Sequence, residues 1–190
     1  MKILILNWRC PTNPKSGGAE IVTMQHATGW VAKGHSVTWI ASSFVEDGPP
    51  SLHNSGEVNK MDKEVIDGVL IKRIAGLGTL HLKVAVFLIQ HGKEYDVIVD
   101  EIHGIPFFAP IFTRTPVVAF IHEVADEIWD YMYPFPLNVF GKLLESWYFS
   151  IYRQCQFWTD APSTVEELVE RGIKKTSCHA IACPITKKTE

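Results

Sequence analysis

KILILNWRCPTNPKSGGAEIV, residues 2–22, is the stretch on which the fold turns. After its first residue, Lys2–Leu6 is a continuous apolar run, the pattern of a strand buried on both faces of a parallel sheet. A loop rich in Pro, Asn, Ser and Gly follows, and a helix is expected to open near Gly18. Ile21, Met24, Thr28 and Val31 then fall on one helical stripe, and Gly34 supplies the stop.

The alternation of strand and helix continues outward from there. Ser36–Ile40 reads as a second strand, and residues 42–60, with Gly48, Pro49, Pro50, Asn54 and Gly56, as a mobile surface loop. Glu64–Ile74 reads as a hairpin turning at Asp67-Gly68. Leu80–His91 is expected as a helix, Tyr95–Asp100 as a buried strand, Pro106–Ile111 as a short helix and Pro116–Ile121 as a strand. In the longest helix, Leu137–Arg153, Phe140, Leu143, Leu144, Trp147, Tyr148 and Ile151 recur at close to 3.6 residues. Gln156–Thr159 follows as a strand. A capping box, Ser163-Thr164-Val165-Glu166, then opens a helix that Gly172 closes, and Ser177–Ala182 forms a last strand. The expectation is one α/β, Rossmann-like, doubly wound domain over residues 1–184, its mainly parallel sheet covered by helices on both faces, with 185–190 a tail or the start of a linker.

Composition narrows the function. Of 190 residues, 46% are hydrophobic and 21% charged, which excludes disorder, and the net charge of −3 provides no dominant basic field, so nucleic acid is not an expected partner. The longest apolar stretches, Val84–Ile89 and Pro116–Ile121, fall far short of the roughly 20 residues of a membrane helix. Asn7, Trp8 and Arg9 follow the apolar start too soon for a signal peptide. Cys10, Cys155, Cys178 and Cys183 lack a Cys-x-x-Cys pair and read as reduced thiols of a cytoplasmic protein.

In an open parallel sheet, ligands bind at the carboxyl ends of the strands. The loops there hold Ser16-Gly17-Gly18-Ala19-Glu20, Asp100-Glu101-Ile102-His103-Gly104, His122-Glu123, and Asp160 ahead of Ser163. Gly17 and Gly18 at a helix amino terminus bring bare N–H groups to a phosphate. The loop is neither Gly-x-Gly-x-x-Gly nor a P-loop, which disfavours a dinucleotide oxidoreductase. His122, directly after a strand, suits a general base or a donor to a substrate oxygen, with a structural histidine as the bland alternative, and His103 is a second candidate. Asp100, Glu101, His103, His122 and Glu123 can be drawn together around a metal, but their spacing matches no standard zinc pattern, so no metal is expected.

The aromatic stretch from Trp129 to Tyr152 suits an acceptor site or a membrane surface, while Leu143, Leu144 and Trp147 read as core. The pairs Lys72-Arg73, Lys174-Lys175 and Lys187-Lys188 read as solvated surface.

The order of apolar strand, Pro-rich loop, Ser-Gly-Gly-Ala-Glu, Lys-Gly-His-Ser-Val-Thr, Tyr-Asp-Val-Ile-Val-Asp, Phe-Ile-His-Glu-Val and Ser163-Thr164 before Glu-Leu-Val-Glu-Arg-Gly-Ile resembles the amino-terminal domain of GT-B glycosyltransferases of family 4. These are retaining enzymes that use nucleotide-sugar donors, and the resemblance runs from Met1 to about Ala182. It implies that Gly17 and Gly18 lie against the donor diphosphate and the acceptor, that Glu20 helps hold the glycine loop, and that His122 contacts the sugar being transferred. His103 and Glu123, at the same edge, complete the candidate donor and acceptor contacts. It further implies a glycan or lipid-linked acceptor, no metal or other cofactor, and a second Rossmann-like domain holding most of the nucleotide-sugar site. Peripheral contact with a membrane stays open.

The sequence departs from the family pattern in two places. The carboxy-terminal domain with its Glu-x7-Glu motif is absent, and Cys183-Pro184-Ile185 stands where Asn-Gly usually follows the last strand. The expectation is therefore a half-enzyme whose missing domain is supplied in cis or in trans, inactive by itself. The alternative is a stand-alone, non-catalytic module binding a phosphorylated ligand or a protein partner.

Overall fold

The computed structural model describes residues 1–44, 63–122, 124 and 137–182. The expected loop over 42–60, apart from its first three residues, lies outside them, as do Glu123, the aromatic segment up to residue 136, and Cys183.

Among the described residues eight strands form one sheet: β1 (Lys2–Leu6), β2 (Ser36–Ser42), β3 (Lys63–Ile66), β4 (Val69–Ala75), β5 (Val97–Ile102), β6 (Val117–Ile121), β7 (Gln156–Thr159) and β8 (Cys178–Ala180). Their spatial order is β3-β4-β2-β1-β5-β6-β7-β8, and every pairing is parallel except β3 with β4. The strand order reverses between β1 and β5, so the loops after these two strands flank the crevice where doubly wound sheets take their ligands. Among the described residues the helices are α1 (Gly18–Ala32), α2 (Leu80–His91), α3 (Ala109–Phe112), α4 (Leu137–Tyr152) and α5 (Pro162–Glu170). Among the described residues no helix is long and apolar enough to cross a membrane.

Both faces of the sheet are buried, which is why β1 reads as an unbroken apolar run. Leu4, Leu6 and Ile40 pack against Leu80, Val84 and Leu88 of α2, Tyr152 of α4 and Leu168 of α5. On the other face Ile3, Ile5, Trp39, Phe120 and Trp158 pack with Ala27 of α1. The hairpin turn is as its sequence predicts: Asp67 and Gly68 have φ of 47° and 82°, the two positive values of a type I′ turn. Gly68 is also held by space, since a Cβ there would meet Val31 Cγ1 of α1 at 2.6 Å.

Several expectations are corrected. The inward face of α1 is Glu20, Thr23 and Ala27, while Ile21 is 58% exposed. β5 begins two residues later than expected and runs on through Glu101 and Ile102, because these pair with Phe120 and Ile121 of β6. The short helix starts only at Ala109, since the amides of Phe107 and Ala109 are held by the Asp100 carboxylate and Phe108 sits at φ 57°. The capping box at Ser163 does not form: α5 starts at Pro162 with Ala161 as an N-cap lacking a side-chain bond, and Thr164 turns inward. Gly172, at φ 83°, follows that helix as expected. On α4, Trp147 is 55% exposed, and the buried side chains include Glu145, Tyr148, Phe149 and Tyr152. β8 spans only Cys178–Ala180.

Candidate functional site

Adjacent residues of a strand point to opposite faces, and β5 uses this to send its neighbouring carboxylates in opposite directions. Asp100 faces the α4 side, where it accepts from the amides of Phe107 and Ala109 at 3.2 and 3.0 Å and from the Tyr152 hydroxyl. Burial pushes its pKa up, against the pull of those three donors. It is a structural clamp. Glu101 faces α1 and is the hub of the site.

One oxygen of Glu101, Oε1, accepts from Thr23 Oγ1 at 2.9 Å, His103 Nε2 at 2.9 Å and His122 Nε2 at 3.2 Å. The other oxygen is buried without a hydrogen-bond partner among the described residues. His122 sits at the end of β6, and its Nδ1 faces Asp160 Oδ2 at 2.6 Å, at the end of β7. Both ring nitrogens thus face carboxylate oxygens, an arrangement that favours the doubly protonated, imidazolium form of the ring. Burial lowers the His122 pKa, but Glu101 and Asp160 outweigh it and the net shift is upward. Burial likewise raises Glu101, and the two histidines outweigh it, leaving its pKa lowered. Thr164 Oγ1 donates to the His122 carbonyl at 3.3 Å, tying the strand end to α5. The rings stack in a row, His122 on His103 at 5.1 Å and 22°, and His103 on Trp8 at 6.3 Å and 21°.

One turn along α1 from Thr23 lies the glycine loop. Glu20, buried at 2% exposure, accepts from the Gly17 amide at 2.6 Å, the half of a capping box that a glycine N-cap allows. Neither Gly17 nor Gly18 has positive φ, and among the described residues no atom lies within 4 Å of a Cβ placed on Gly18. Nothing in this described surrounding requires glycine there, and the backbone is left bare.

Behind the loop, Arg73 donates to Thr12 Oγ1 and Glu64 Oε2, each at 2.6 Å, and to Cys10 Sγ at 3.4 Å. Arg73 is only 9% exposed, which corrects its reading as solvated surface. Its place on the buried face of β4, in step with Val69 and Ile71, was the available signal.

The structure therefore brings His122 and His103 together on Glu101, and places Gly17, Gly18 and Glu20 at the head of the helix that carries Thr23. Asp100 is turned away, and Glu123 lies outside the described residues. Thr23, Trp8 and the role of Asp160 were missed. Among the described residues, the group able to hold a metal ion is Glu101, His103 and His122, whose ligand atoms all lie within 4.8 Å of one another.

The chain matches the family model described as Glycosyltransferase Family 4 over residues 16–188. No curated protein sequence matches it. Among solved structures it resembles HepE of Anabaena in complex with UDP, with a TM-score of 0.58 and 14% identity over 96% of this chain and 44% of that one. HepE in complex with UDP and glucose gives 0.60, also at 14% identity over 96% and 44%. Sucrose-phosphate synthase of Thermosynechococcus elongatus gives 0.62 at 14% identity over 96% and 48%. At that identity the likeness shows a shared fold, and the chain spans less than half the length of these proteins.

Proposed function

The chain belongs to glycosyltransferase family 4, and on that premise we propose that it is the acceptor-side half of a retaining glycosyltransferase moving a sugar from a nucleotide-sugar donor to a hydroxyl of a glycan or lipid-linked acceptor. The observation that carries this reading is the bare Gly18 backbone at the amino terminus of α1, on the helix whose Thr23 meets Glu101 and, through it, the oriented His122 ring.

In the proposed reaction, the N–H groups and positive end of α1 face the diphosphate and stabilise charge as it departs. His122 keeps its short Nδ1 bond to Asp160 and turns its Nε2–H, held more loosely by Glu101 at 3.2 Å, to a hydroxyl of the transferred sugar. Fixing that sugar against the acceptor removes orientational entropy from the barrier. Helix amides and an imidazolium supply positive charge in this scheme, so it calls for no metal. A second domain, in cis or in trans, completes the nucleotide site. HepE has been solved with UDP-glucose, which makes that compound the natural first probe.

The test is an amide and imidazole NMR titration of the chain with UDP-glucose and other nucleotide sugars. Weak binding, with Kd on the order of 1 mM and responses gathered at Gly17, Gly18 and His122, is expected of a half-site. No response to any donor at about ten times that concentration would overturn the proposal. Tight binding to the chain alone would point instead to a stand-alone module.

A further inference from the structure

We propose that Glu101, His103 and His122 form a binding site for one divalent transition-metal ion of the zinc class, whose occupancy takes His122 Nε2 away from the transferred sugar. The metal site stands on the geometry of this chain alone; only its effect on transfer rests on the function proposed above.

One carboxylate oxygen and two imidazole nitrogens are the donors such an ion selects, and as a set they resemble the two-histidine, one-carboxylate triads of known metal centres. Glu101 Oε1 lies 2.9 Å from His103 Nε2 and 3.2 Å from His122 Nε2. Ligands held about 2.0–2.1 Å from a metal stand roughly 3 Å apart, which matches the two spacings to Glu101, and with all three donor atoms within 4.8 Å of one another a rotation of the rings brings both nitrogens onto one ion.

A second, independent feature is the outer support. Asp160 holds His122 Nδ1 at 2.6 Å and Thr23 holds Glu101 at 2.9 Å, the kind of backing that orients ligands in metal sites. Glu101 has a side chain 0% exposed and keeps a buried Oε2 that is unpartnered among the described residues, a spare ligand oxygen. Glu101 and Asp160 together bring two negative charges, which a dication matches. His103 and His122 have side chains 19% and 17% exposed, which gives the ion an entrance and a face open to a further ligand. On binding, His122 releases its Nε2 proton to solvent and keeps the Nδ1 hydrogen on Asp160, His103 binds through Nε2 with its ring hydrogen on Nδ1, and no redox change occurs.

The experiment titrates the purified chain with Co2+, reading its visible d–d absorption, and with Zn2+ against a chromophoric chelator. Expected are one equivalent bound with Kd on the order of 1 µM or tighter, no displacement by millimolar Mg2+, which prefers oxygen ligands, and a cobalt spectrum of low coordination number. His103→Ala should weaken binding at least 30-fold and Asp160→Asn about 10-fold. Changing the exposed His91 and His179 to Ala should leave it unaltered. Glu101→Gln disturbs a fully buried hub and puts folding itself at risk, so the cobalt spectrum of the unmutated chain and the partly exposed His103 carry the test. Absence of stoichiometric binding at about 100 µM, or undiminished binding by His103→Ala, would overturn the site. With zinc bound, the His122 response to UDP-glucose should vanish while those of Gly17 and Gly18 persist. A chain that binds zinc but no nucleotide sugar keeps the metal site and loses the donor reading.

Discussion

His122 is gripped at both ring nitrogens, more firmly by Asp160 at 2.6 Å than by Glu101 at 3.2 Å, and the role proposed for it in transfer depends on that difference. In a complete two-domain enzyme, His122→Ala should lower turnover by roughly 10²–10³-fold, the loss typical of one directed donor, while circular dichroism stays native. Turnover within a factor of two of wild type would remove His122 from the mechanism. His26 offers a separate test. Its ring lies edge-on to Trp158 at 4.6 Å with Nε2 buried and unpartnered among the described residues. Burial lowers its pKa, Asp160 opposes and His122 reinforces. The unfolded chain therefore binds that proton more readily, and stability falls as pH drops from about 6.5 through the lowered value. The difference in unfolding free energy between wild type and His26→Leu should slope over that window; parallel curves would refute the assignment. At this scale the sequence yields His122 and His103, because a polar residue directly after an apolar strand marks a strand's carboxyl end. It could not sort Asp100 from Glu101, whose roles depend on which face each side chain takes. Thr23 was hidden because the inward stripe of α1 is polar near its start.

Elements are where a local rule meets a tertiary one. At the head of α1, Gly18 has unstrained backbone and open space, so Gly18→Ala should stabilise the fold by about 0.4–1 kcal/mol through the unfolded chain. The same methyl should weaken nucleotide-sugar binding. A denaturation curve and the NMR titration read the two effects, and unchanged affinity would mean the bare backbone serves no ligand. Between β5 and α4, Asp100 joins strand, loop and helix. Asp100→Ala strands two amides and the Tyr152 hydroxyl, and should cost about 3 kcal/mol or more, while Tyr152→Phe removes one donor and costs about 1.5–3 kcal/mol. Equal, small losses in urea denaturation would show that the clamp is loose. Tertiary pull also explains the misplaced boundaries. Local signals put a helix at Pro106, but the Asp100 carboxylate captures the Phe107 and Ala109 amides first. Ser163 has a capping sequence, yet Pro162 already suits the first helical position.

Across the molecule, strand–helix alternation and unbroken apolar strands were enough to foretell a doubly wound sheet, since a strand covered on both faces cannot show period-two patterning. Ile3 and Ile5 face one layer, Leu4 and Leu6 the other, so the two cores share their strands. They should unfold as one unit, with far-ultraviolet dichroism and tryptophan fluorescence tracing coincident urea transitions; two separated midpoints would show the layers to be independent. The sheet order itself, and the gathering of strand ends around Glu101, lay beyond sequence periodicity because pairing joins distant segments. The flanks of that sheet have a further consequence. One flank is the four-residue β3, which turns back antiparallel and bears Lys63 and Glu64; the other is the three-residue β8. Short borders, the first of them charged, make poor templates for another chain's backbone, so among the described residues even a crowded solution of this protein has little at these two borders to seed cross-β deposits.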